Sequence, residues 1–161
     1  MRKNVKNIFA IAFVLMVAII LTGCGDKTTP SKGKTNKDYA FPTANFIPSG
    51  MEYTGSGKIE YSSTNESSNP KVADAYISNA TIEDAVAYVQ KLKEKGLTNA
   101  NKYREEQTGF DEYGSFSWVG VNSSETLCIS VTLTEDSAPL NLVDGSYNLL
   151  ITLTDVNIYG E

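Results

Sequence analysis

The sequence predicts an α+β domain: an antiparallel sheet of about five or six strands with one main helix packed on one face. Three observations carry this. Three late segments alternate apolar and polar residues with period two, the pattern of strands with one covered and one wet face. Around residues 82 to 95 the apolar residues switch to helical spacing, which supplies the cover. Asn122-Ser123-Ser124-Glu125 is short and polar and suits a tight connection between two of the strands.

Along the chain, Tyr39 to Pro48 (YAFPTANFIP) is apolar but broken by two prolines, so an extended segment laying its aromatics on the domain is expected. Met51 to Ser62 places Met51, Tyr53, Ile59 and Tyr61 on one parity. Gly55-Ser56-Gly57 within it can take positive φ, which predicts a hairpin or a bulged strand. Ser62 to Asn69 reads as a polar loop stopped by Pro70, and Val72 to Ser78 as a strand.

The helix is the clearest element. Thr81 is a good N-cap, and Asp84 three residues on approaches a capping box and favours the helix dipole. Ile82, Ala85, Val86, Val89 and Leu92 form one stripe; Lys91, Lys93 and Lys95 close the last turns. Gly96 ends the helix, with Leu97 placed for the apolar contact of a Schellman cap. Asn99 to Gln107 is polar and suggests at most a short helical turn. Strands are then expected at Tyr113–Val121, Thr126–Thr134 and Tyr147–Thr154. Phe116 and Trp118 share a face, as do Leu127, Ile129, Val131 and Leu133, and Leu149, Ile151 and Leu153.

The beginning of the chain has a different character. Arg2, Lys3 and Lys6 precede an uncharged apolar run from Ile8 to Leu21, shorter than the roughly 20 residues of a spanning helix. The run closes with Leu21-Thr22-Gly23-Cys24. This resembles the bacterial lipobox at the end of a secretory signal. The resemblance implies diacylglycerol on the Cys24 sulfur and signal peptidase II recognition through Leu21, Thr22 and Gly23. Residues 1–23 are then the signal peptide, 24–37 a lipidated flexible tether and 38–161 a single domain. The expected location is the extracytoplasmic face of the cell membrane. Gly25 to Lys37 has no large apolar residue, which fits the tether.

Of the 161 residues, 14 are basic and 19 acidic, a net charge of −5. From Tyr39 onward there are 7 basic and 17 acidic residues, 7 − 17 = −10. Such a domain is repelled by nucleic acid and by anionic headgroups. The chain has two cysteines; with Cys24 assigned to lipid, Cys128 has no disulfide partner and reads as a buried structural thiol.

The sequence contains no histidine, which excludes Ser-His-Asp and Cys-His catalysis and histidine-based zinc sites. The densest acids, Glu105-Glu106, Asp111-Glu112, Glu135-Asp136 and Asp144, fall in expected loops, where solvated acids are ordinary. They lack the D-x-[DN]-x-[DN]-G spacing of a calcium loop. No catalytic residue, metal ligand or cofactor site is assigned. Nine tyrosines remain. On a wet sheet face they can stack on sugars or peptides, although cross-strand packing is their ordinary use.

Tyr76-Ile77, Thr81-Ile82-Glu83-Asp84, Ala87-Tyr88-Val89, Leu92-Lys93 and Gly96-Leu97-Thr98 resemble a family of small uncharacterised lipoproteins of clostridial-type Gram-positive bacteria. The aromatic strand Tyr113 to Trp118 and Leu150-Ile151-Thr152-Leu153 complete the pattern over about half of the chain. The resemblance implies an extracytoplasmic α+β lipoprotein and brings no activity. The expected function is a non-enzymatic binding or interaction module with a protein or cell-wall ligand. A carboxylate-dependent cell-wall hydrolase and a structural envelope component are the alternatives.

Overall fold

Helix α1 (Ile82–Glu94) begins where its sequence signals place it. Thr81 Oγ1 accepts from Asp84 N at 3.2 Å while Asp84 Oδ2 accepts from Thr81 N at 3.1 Å, a reciprocal capping box. At the other end Gly96 N donates to Lys93 O at 2.9 Å and Leu97 N to Leu92 O at 3.1 Å. Gly96 sits at φ 90°, so these two bonds form the Schellman pair and turn Leu97 into the core. The computed structural model describes residues 38–100 and 106–156. The apolar run, Leu21, Thr22, Gly23, Cys24, the tether and Glu105 lie outside the described residues.

Among the described residues the strands are β1 (Lys58–Asn65), β2 (Lys71–Ser78), β3 (Thr98–Asn99), β4 (Ser115–Val121), β5 (Leu127–Pro139) and β6 (Ser146–Asp155). They form one antiparallel sheet in the order β1-β2-β6-β5-β4-β3. Sheet is the larger part of the regular structure and α1 the smaller. Register fixes the covered face: Ala73, Ala75 and Ile77 pair with Leu153, Ile151 and Leu149, which pair in turn with Ile129, Val131 and Leu133. All nine are fully buried. Phe116, Trp118 and Gly120 extend the face through β4. Gly120 is needed because the Trp118 ring lies where a Cβ would stand. Ala85, Val89 and Leu92 of the expected stripe are buried in this cluster together with Tyr88, while Ile82 and Val86 pack against it partly buried. Tyr88 enters because its hydroxyl donates to Met51 O at 2.7 Å.

Several expectations are corrected. Of the hairpin or bulged strand expected over Met51 to Ser62, β1 is bulged, but at Glu60; Gly55-Ser56-Gly57 precedes β1, and neither of its glycines has positive φ. Gly57 is required by close approach: a Cβ there would stand 2.7 Å from Ile77 Cγ2. Ser62 to Asn65 is strand, because Val72 to Ala75 offer it backbone partners; the loop shortens to residues 66–70. Asn65 Oδ1 closes it by accepting from Ser67 N and Ser68 N at 3.2 and 3.1 Å. Thr98-Asn99 is a two-residue strand, and most of the segment expected to turn helically lies outside the described residues. Glu135 and Asp136 are not in a loop: β5 continues through them to Pro139, with an irregularity between Leu133 and Ala138.

The segment Tyr39 to Pro48 is held by its aromatics. Tyr39 meets Tyr61 at 5.5 Å between ring centroids, and Phe41 meets Tyr88 of the helix at 6.4 Å. A turn at Ala44–Ile47 interrupts the extension expected of it.

Candidate functional site

The face of the sheet opposite the core is organised by register into rows running across the strands. Tyr61, Tyr76, Leu150, Thr132 and Ser117 are partners in one row; Ser63, Asp74, Thr152, Ser130 and Val119 form the next. This face is less wet than alternation predicts: Leu150 and Val119 are half-buried, and Cys128 and Thr154, one row further, are buried.

A bulge decides which face Tyr61 occupies. Ile59 pairs with Ile77 and Tyr61 with Tyr76, so Glu60 is the extra residue between two adjacent partners. Ile59 therefore packs on the core while Tyr61, two residues on, points to the opposite face. Simple alternation puts both on one side, and that expectation is overturned. The result is a row of four tyrosines in successive ring contact: Tyr39–Tyr61 at 5.5 Å, Tyr61–Tyr76 at 5.8 Å and Tyr76–Tyr147 at 4.9 Å. All four are half-buried. Every buried side-chain polar atom among the described residues has a hydrogen-bond partner. The hydroxyls of Tyr61, Tyr76 and Tyr147 make no bond within the described residues and so reach solvent.

Asp74 adjoins the row. Thr152 Oγ1 donates to its Oδ1 at 2.7 Å, yet burial dominates and pushes the carboxyl above its usual range. Burial, and then the nearby Asp74 charge, push the Tyr76 phenol up to about 12, so it stays a hydroxyl at neutral pH. At the end of the row Glu60 accepts from Ser78 Oγ at 2.7 Å and pairs with Lys58 at 3.1 Å. The Ser78 bond, helped by Lys58, outweighs partial burial and holds the Glu60 carboxyl low. The site is thus a phenol row beside hydroxyls, one half-buried carboxyl and one self-compensated ion pair.

The acids singled out by sequence do not converge. Glu106 pairs with Lys93 and accepts from Trp118 Nε1 at 2.7 Å; the Lys93 bond foremost holds it low. Asp111 accepts from Tyr113 N and Ser115 N and stabilises its own turn. Glu135 and Asp136 line a shallow cleft with Tyr113, while Glu112 and Asp144 are exposed. Among the described residues no group of His, Cys, Asp and Glu is arranged to hold a metal ion. Cys128 is buried, and burial pushes its thiol up to about 11.

Sequence reasoning noted the tyrosines but not the row. One signal was available: Tyr76 is out of parity with Ala73, Ala75 and Ile77. Comparison of the chain with known protein families, curated proteins and solved structures finds no match. No helix among the described residues is long and apolar enough to cross a membrane.

Proposed function

We propose that this chain is a lipid-anchored extracytoplasmic protein whose α+β domain is a non-enzymatic binding module, with the tyrosine row as its contact surface. The observation that carries the binding role is the row itself: four rings in contact, three with solvent-reaching hydroxyls, on a face that the core does not use. Aromatic side chains give large contact area at low entropic cost, and their tips remain available for hydrogen bonds. The anchor rests on Leu21-Thr22-Gly23-Cys24 after the basic and apolar segments. Two acyl chains on Cys24 hold stably where one holds marginally. Binding is favoured over carboxylate hydrolysis because Glu106 and Asp111 are committed to internal bonds.

Two measurements test this. The full chain is expected to take up labelled palmitate, and Cys24→Ala to remain unlabelled and unprocessed; normal labelling of that variant refutes the anchor. Wild-type protein is expected to retain isolated cell-envelope material that a folded Tyr61→Ala/Tyr76→Ala variant does not. Equal retention by both refutes the contact surface.

A further inference from the structure

We infer that the tyrosine row is a platform for a neutral β-1,4-linked glycan lying across the strands. The inference rests on the binding role proposed above and names its ligand class.

The first argument is periodicity. Tyr61 and Tyr76 are register partners on adjacent strands, which stand about 4.8 Å apart. Tyr39 adjoins Tyr61 at 5.5 Å, tilted 56° to it, and Tyr147, three residues along β6 from Tyr76's register partner Leu150, meets Tyr76 edge-on at 4.9 Å. These steps are close to the advance per residue of an extended β-1,4-linked pyranose chain. Adjacent sugars can then meet Tyr61 and Tyr76, whose rings are tilted 58° to each other, with the Tyr147 ring edge-on beside Tyr76. An extended peptide, whose side chains return to one face every second residue, advances too far per repeat to match them.

The second argument is charge. The two central rows carry one carboxyl, Asp74, and no cation, and the nearby Lys58 is paired with Glu60. With a net of 7 − 17 = −10 from Tyr39 onward, the domain repels nucleic acid and phosphate-rich polymers. A neutral polyol has no such penalty. The third argument is hydrogen bonding. Tyr61 and Tyr76 expose hydroxyls, and Ser63, Asp74, Thr152 and Ser130 stand in the adjoining row, so donors and acceptors flank the rings as a sugar's alternating hydroxyls require. Asp74 kept there with a single protein donor, Thr152, leaves acceptor capacity for a sugar hydroxyl.

The test is calorimetric titration of the full chain in detergent with chitohexaose and cellohexaose, with dextran as the α-linked control. Binding of a β-1,4 oligomer is expected, and Tyr61→Ala and Tyr76→Ala are each expected to weaken it roughly three- to tenfold. Tyr113→Ala, which removes a ring exposed outside the row, is expected to change nothing. Unchanged affinity in folded Tyr61→Ala and Tyr76→Ala overturns the platform. Envelope capture that depends on the tyrosines but survives muramidase digestion, with no oligosaccharide binding, overturns the glycan and leaves the binding module standing with a protein ligand. Envelope capture indifferent to the tyrosines overturns both.

Discussion

Replacing Asp84 with alanine tests how the helix is fastened to the domain. Its carboxylate accepts from Thr81 N at 3.1 Å, Ser56 N at 3.0 Å and Ser56 Oγ at 2.8 Å, tying the start of α1 to the loop before β1. Loss of the box arm costs about 1 kcal/mol, as a cap does. The two bonds from Ser56 are solvent-exposed and together add about 1 kcal/mol rather than their buried worth. The total of about 2 kcal/mol lowers Tm by roughly 8 °C for a domain of this size. Asp84→Asn keeps an acceptor and is expected to lose about half as much. The pH dependence has a definite sign. Partial burial raises the Asp84 carboxyl, but the bonds from Ser56, Thr81 and Tyr53 outweigh it and hold the folded pKa below the ordinary value. Its stabilisation is therefore complete above the unfolded pKa of about 3.9 and is lost as pH falls through the folded pKa. Urea unfolding followed by circular dichroism should show a constant gap between wild type and Asp84→Ala at pH 5 to 7, closing below about pH 4. A loss under about 0.5 kcal/mol at pH 7, or an Asn variant as weak as the Ala variant, refutes the reasoning.

Three further outcomes are expected. Asp74→Asn should stabilise the domain at pH 7, since burial raises the folded pKa and its charged form is a cost that builds as pH rises from the unfolded pKa to the folded one; the gain should vanish in acid below the unfolded pKa, and a loss of stability at pH 7 contradicts it. Deleting Glu60 should remove the bulge yet leave Ile59 inward and Tyr61 outward, at a cost of about 1–2 kcal/mol for the unbonded, buried Ser78 hydroxyl. Loss of the Tyr61–Tyr76 ring contact by nuclear Overhauser measurement would disprove that register. Gln107→Ala should expose the β4 edge: the Gln107 carboxamide donates to Ser115 O at 3.3 Å and accepts from Ser117 N at 2.7 Å, standing in for a missing strand. Sedimentation velocity should then detect more self-association than in wild type, and an unchanged distribution argues against edge protection.

Much of the local structure was legible before any tertiary contact was known. Thr81, Asp84 and Gly96 mark the helix ends because capping bonds span three to five residues, a range that one stretch of chain satisfies by itself. The inward sets Leu127-Ile129-Val131-Leu133 and Leu149-Ile151-Leu153 follow from pleat periodicity, and both are buried as the alternation requires. What alternation could not supply is a change of phase. Tyr61 shares parity with Ile59 and leaves its face only because Glu60 bulges against β2. The polar Ser62 to Asn65 is strand only because β2 lies beside it, and Glu135-Asp136 is extended because β5 continues past its irregularity to pair Ala138 and Pro139 with Tyr147 and Ser146. The tyrosine row joins residues 39, 61, 76 and 147 through contacts far apart in sequence. The sequence alone determined the helix, its caps and the inward sets of the late strands, because those depend on neighbours along the chain. Only the tertiary structure decided the row, because a register partner across a sheet is chosen by the pairing of whole strands and a single bulged residue reverses its face.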